Sequence, residues 1–83
     1  MNSAWIRYGD LTVDIKVEKQ CNAIIEISNL TGQINYVKAI NANSGYNQIN
    51  INDAGINKWS KGMYILRLYI DNIPVSTQKI IKN

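Results

Sequence analysis

Apolar and polar side chains alternate along most of this chain with a period of two. In Leu11-Thr12-Val13-Asp14-Ile15-Lys16-Val17-Glu18, one face of an extended backbone carries Leu11, Val13, Ile15 and Val17, and the other carries Thr12, Asp14, Lys16 and Glu18. A helix would scatter that apolar set around its axis, so the spacing predicts a half-buried strand. Residues 23–28 predict a second strand with Ala23, Ile25 and Ile27 on one face. Residues 33–41 predict a third, with Ile34, Tyr36 and Ile40 on a face that Lys38 interrupts, and Val37 and Ala39 opposite. Residues 48–52 alternate again. Residues 63–70 give the clearest strand, Tyr64, Leu66, Leu68 and Ile70 against Ile65, Arg67 and Tyr69. Residues 75–82 form the last, with Pro74 at its start or on an edge because it has no N–H to give a ladder.

The breaks between these runs carry turn chemistry. Lys19-Gln20-Cys21-Asn22 is a polar break, and Asn29-Leu30-Thr31-Gly32 is a turn in which Gly32 is free to take positive φ. Asn43-Ser44-Gly45-Tyr46-Asn47 is a second glycine turn, and Asp71-Asn72 is a two-residue hairpin loop whose residues both tolerate positive φ. Residues 53–60 form a longer connection, pinned by Ile56 and Trp59, with room for a single helical turn. Six or seven short strands with turn signals about every 8–12 residues predict an all-β sandwich or small barrel. Connections of hairpin length make it mainly antiparallel. Asn35 and Asn50, on strands, should face water.

Composition narrows this picture. Eighty-three residues make one domain, and a chain of that size buries only about 60% of its unfolded surface. Its single cysteine allows no internal disulfide, and with no phenylalanine the core rests on isoleucine, leucine, valine, tyrosine and tryptophan. Isoleucine and valine suit a pleated surface. The net charge of +3 is spread along the chain, whereas a nucleic-acid binder concentrates its basic residues in a stripe, so no nucleic-acid partner is expected. Lys79 and Lys82 form the strongest local basic pair; in the plainest reading they keep a chain end soluble and blunt an exposed edge. No apolar run approaches the roughly 20 residues of a membrane span, so no direct membrane insertion is expected. Residues 1–6 lack the basic start and apolar core of a secretory leader; were the protein exported, this chain would be a piece of something longer. Residues 1–9 read as a lead-in or an expression-derived start, and residues 10–83 as the domain.

The residue types of common catalytic chemistry are sparse. Without histidine the commonest general base and metal ligand are missing. Cys21 has no imidazole to activate it and reads as a small residue beside a turn. Asp10, Asp14, Asp53 and Asp71 are spaced too widely for a calcium loop; Asn52-Asp53 beside Gly55 is an ordinary turn. Asp14 and Glu18 share a strand face with Lys16 between them, which describes solvated ion pairing rather than paired acids. Isolated glycines build no phosphate cradle, and Asn29-Leu30-Thr31 is a glycosylation acceptor only by a short motif. No catalytic residue, metal or cofactor is therefore assigned, and the chain is read as a non-enzyme. Trp5 and Trp59 have two readings: an aromatic platform for sugar rings, which would make this a carbohydrate-binding or adhesion accessory module of a secreted protein, or filling of a small core. Tyr64, entering its strand after Gly62, also has a purely structural use, its hydroxyl bonding nearby backbone at a sandwich corner.

Four segments in order carry a resemblance. Ile25-Glu26-Ile27-Ser28-Asn29-Leu30-Thr31-Gly32-Gln33 resembles an I-x-I-x-N-x-x-G-Q pattern. Gly45-Tyr46-Asn47-Gln48-Ile49-Asn50-Ile51 is similar to G-x-N-x-I-x-I, Trp59 through Leu66 to L-x-x-G-x-Y-x-L/V, and Lys79-Ile80-Ile81-Lys82 to a closing K-I-I-K. Together, over residues 10–83, they resemble the type A C-terminal sorting domain of the type IX secretion system of Bacteroidetes. The resemblance implies a seven-stranded immunoglobulin-like antiparallel sandwich fused behind a secreted cargo. The cargo would cross the periplasm and then an outer-membrane translocon to the cell surface, where a sortase-like peptidase usually removes the domain. By position, Gly32, Gly62, Tyr64, Lys79, Ile80, Ile81 and Lys82 match the motif and are the expected translocon-recognition residues. The Pro-Asn-Pro opening common in such domains is absent; Ala4-Trp5-Ile6-Arg7-Tyr8 stands there instead.

Overall fold

A computed structural model describes residues 3–7 by their backbone and residues 10–83 with their side chains. Seven strands follow one another: β1 (Ser3–Arg7), β2 (Asp10–Val17), β3 (Cys21–Asn29), β4 (Ile34–Ala42), β5 (Gly45–Ile51), β6 (Gly62–Ile70) and β7 (Ile73–Lys82). Between β5 and β6 lies one 3₁₀ turn, Ile56–Lys58. The strands form two sheets, β1-β2-β5 and β4-β3-β6-β7, and every pairing is antiparallel. This is an immunoglobulin-like sandwich rather than a barrel. The links β1–β2, β3–β4 and β6–β7 stay within a sheet; the links β2–β3, β4–β5 and β5–β6 cross between sheets. β1 falls in the segment read from sequence as a lead-in, and its backbone pairs with β2, Trp5 opposite Thr12.

The period-two faces meet in the middle. Leu11, Val13 and Ile15 of β2 and Ile49 and Ile51 of β5 face Ala23, Ile25 and Ile27 of β3 and Leu66 and Leu68 of β6, all buried. Burying each large aliphatic side chain is worth about 1.5–3 kcal/mol over leaving it exposed. Ile56, on the 3₁₀ turn, plugs one end of this layer. Outside, Glu26 stands directly across from Arg67, whose Nη1 lies 3.6 Å from the Glu26 carboxylate and donates to Ser28 Oγ at 3.0 Å. That bond satisfies Ser28, which is buried.

The two edge strands of the larger sheet depart from ideal alternation. On β4 the inner positions are Tyr36, Lys38, Ile40 and Ala42. Ile34, expected with that face, is 55% exposed, because a register shift at Ile27/Ser28 turns the start of β4 outward. Lys38 keeps its inward place, half-buried; an inward charge on an edge strand discourages further pairing. On β7 the inner positions are Ser76, Gln78, Ile80 and Lys82, and only Ile80 is buried. Pro74 sits near the start of this edge strand, beside a shift in register that leaves Val75 without an opposite residue on β6.

Candidate recognition site

Register brings the motif segments together. Asn29 stands opposite Tyr64 across β3 and β6. Tyr64 stands opposite Ile80 across β6 and β7, and Gly62 opposite Lys82. Segments far apart in sequence thus form one continuous row at one end of the larger sheet. Lys79 and Ile81 flank it, opposite Ile65 and Met63. The Gly45-Tyr46-Asn47 segment lies at the other end of the sandwich, where Gly45 pairs with Val17.

The turn at residues 29–33 is organised by one amide. The N–H of Thr31 (3.1 Å), its hydroxyl (2.7 Å) and the N–H of Gln33 (2.9 Å) all donate to Asn29 Oδ1. Asn29 Nδ2 donates to Gln33 Oε1 at 3.3 Å, so the acceptor amide of the glycosylation motif is engaged by its own turn. Gly32 takes φ 93°, the conformation its position in the motif requires. The tip of the turn is Leu30, 63% exposed.

The facing wall is the loop that enters β6. Its 3₁₀ turn begins at Gly55 and is closed by Lys58 N–H donating to Gly55 O (2.9 Å) and Trp59 N–H to Ile56 O (3.0 Å). The Trp59 indole N–H donates to Ala54 O at 3.2 Å. Its ring, half-buried, packs 5.0 Å from that of Tyr64. The Tyr64 hydroxyl donates to Ser60 O at 2.6 Å, the corner bond expected from sequence. Tyr64 is itself buried, so its place in the motif serves the shape of the loop. The side chain of Trp5, the other half of the expected sugar platform, lies outside the described residues.

Between the two walls runs a shallow groove lined by Asn29, Leu30, Gln33, Lys58, Lys61 and Met63, among others. It offers amides, ammonium groups and apolar surface, which is the vocabulary of binding. Of the seven expected recognition residues, Ile80 belongs to the core, 4% exposed, while Ile81 is 58% exposed and Lys79 projects outward. Lys58, Lys61, Leu30 and Met63 were not singled out from sequence. Leu30, Lys61 and Met63 lie within the motif segments and Lys58 just ahead of one, but nothing local says that two loops face each other.

A family model described as the secretion system C-terminal sorting domain matches residues 8–83. No curated protein and no solved structure matches the chain.

Proposed function

Since the chain belongs to the family of type IX secretion C-terminal sorting domains, we propose that it acts by showing one end of its folded sandwich to the outer-membrane translocon. In this reading the domain is the non-catalytic tail of a cargo protein exported to the cell surface or beyond. A sortase-like peptidase then cuts ahead of it, and residues 10–83 are the part that the machinery reads. The observation that supports the reading most is the convergence of three separate motif segments on one row, Asn29, Tyr64 and Ile80, at the end where the chain's last strand finishes. A hydrophobic core alone does not require these segments to share an end. Gly32, Gly62, Tyr64 and Ile80 give the end its shape; Lys79 and Ile81 are turned outward to a partner, and half-buried Lys82 closes the row opposite Gly62.

The direction of the strands fits this role. An odd number of antiparallel strands sends the first and last the same way, so a chain arriving at Ser3 comes from the opposite end to Lys82. A cargo joined ahead of β1 leaves the motif end unobstructed. The test is a reporter carrying a periplasmic signal, fused ahead of residues 1–83 and expressed in a secretion-competent host. Surface display of the reporter is expected, with loss on replacing Lys79, Ile81 and Lys82 together by glutamate in a domain that still folds. Display unchanged by that replacement would mean the closing residues are not the address.

A further inference from the structure

At the end that gathers the motifs, where Asp10 also begins β2, the charged side chains that line the groove itself are basic. Lys58 and Lys61 line the groove, Lys82 stands across from Gly62, and Lys79 across from Ile65. No carboxylate is among the described residues lining the groove. Asp53, on the connection leading into this loop, is engaged by the Tyr36 hydroxyl at 2.5 Å. At the opposite end, around Val17 and Ile70, charges of both signs mix: Glu18 and Asp71 stand with Lys16 and Lys19. Among the lysines are apolar side chains that the fold leaves uncovered: Leu30 at 63%, Ile81 at 58% and Met63 at 37% exposure. Leu30 is the most telling, because the tip of a tight turn normally carries a polar residue. Both walls are fixed beforehand by the Asn29 and Tyr64 bonds, so the domain itself needs little ordering to bind.

We propose that this groove is the docking site for an extended, acidic and partly apolar segment of the protein that receives the domain. The proposal rests on the sorting reading and gives its partner a chemistry. Carboxylates answer Lys58 and Lys61, and apolar side chains seat against Leu30 and Met63. Charge sets the approach and the register, while the apolar contacts separate a peptide from a simple polyanion.

The experiment is a titration of the isotope-labelled chain, followed by amide resonances, with an eight-residue peptide alternating glutamate and leucine. Two control peptides carry lysine for glutamate or serine for leucine, and inorganic polyphosphate is a third probe. Shifts confined to residues 29–33 and 58–63 with the first peptide are expected, weakening with salt. Affinity should fall about tenfold in the Lys58→Glu/Lys61→Glu variant, whose exposed positions leave the fold intact. Absent shifts, an equal response to the lysine peptide, or unchanged affinity in the variant would overturn the site. Equal binding of the serine peptide or of polyphosphate would overturn its peptide chemistry. The same variant in the fused reporter separates the two readings. Export by the unaltered domain with retention of the variant supports the groove. Export of both overturns the groove and leaves sorting standing. Export of neither overturns the sorting reading, and the titration then decides the groove alone.

Discussion

Tyr36 shows how a single bond between an edge strand and a loop makes the fold sensitive to pH. Half-buried on the inner face of β4, its hydroxyl donates to Asp53 Oδ1. Burial, then the hydrogen bond and charge of Asp53, push the phenol from 10.0 up to about 12. The same bond, aided by Lys38, holds the Asp53 carboxyl below its ordinary 3.8. The signs follow from which state keeps the proton. For Tyr36 the folded state binds it more tightly, so its contribution to stability is complete below pH 10 and is lost as pH rises toward 12. For Asp53 the contribution is present above 3.8 and is lost as pH falls through the lowered value. Tyr36→Phe should therefore lose stability at neutral pH and show a shallower alkaline fall than the parent between pH 10 and 12, measured as urea midpoints across pH. Parallel alkaline limbs would show that folding does not raise the phenol. None of this was legible in sequence: Tyr36 and Asp53 were read separately, one as a core face and the other as a turn.

Among the elements, the turns separate what local chemistry can and cannot say. The hairpin at Asp71-Asn72 was predicted from two residues that tolerate positive φ, and both adopt it, at 49° and 69°. Asp71 adds a link to β3, accepting Asn22 N–H at 3.2 Å. The two glycine turns look alike in sequence and do different work. Residues 29–33 close a hairpin inside one sheet, whereas residues 43–47 carry the chain from one sheet to the other. There Asn47 braces the crossing, its Nδ2 donating to Asn43 O at 2.8 Å and its Oδ1 accepting from Asn43 N–H at 3.0 Å. Ser44 then ties the crossing to the neighbouring one, its hydroxyl donating to Glu18 O at 2.9 Å. Motif glycines thus serve backbone shape. At Gly62, φ is 143° and an added Cβ would meet no atom within 4 Å. Gly62→Ala should cost about 1–2 kcal/mol through backbone strain alone, read from denaturant midpoints. A cost near zero would mean the loop relaxes and the glycine is kept for another reason.

At the scale of the whole molecule, the closing K-I-I-K segment splits into two functions by alternation. Ile80 points into the core and Ile81 points to water. Deleting the tail would remove a core side chain along with any address, so export lost by truncation says little about recognition. Point changes do better. Ile80→Ala should cost about 2–4 kcal/mol, while Ile81→Ala should stay within about 0.5 kcal/mol. Thermal or urea unfolding of each variant checks this, and an equal loss in both would overturn the assignment of their faces. In the sorting reading both changes lower export, the first by unfolding the domain and the second with the fold intact.

Period two, turn residues and the absence of any helical stretch were enough to determine a mainly antiparallel all-β fold, sandwich or small barrel, and to say which face of β2, β3, β5 and β6 is buried. Those are nearest-neighbour properties of an extended chain, and they survive in any arrangement of the strands. Which links stay within a sheet, the outward start of β4, the core position of Ile80 and the meeting of residues 29–33 with 58–63 depend on partners far along the chain. Strand pairing carries that information through the register of the backbone, and no local window of sequence contains it.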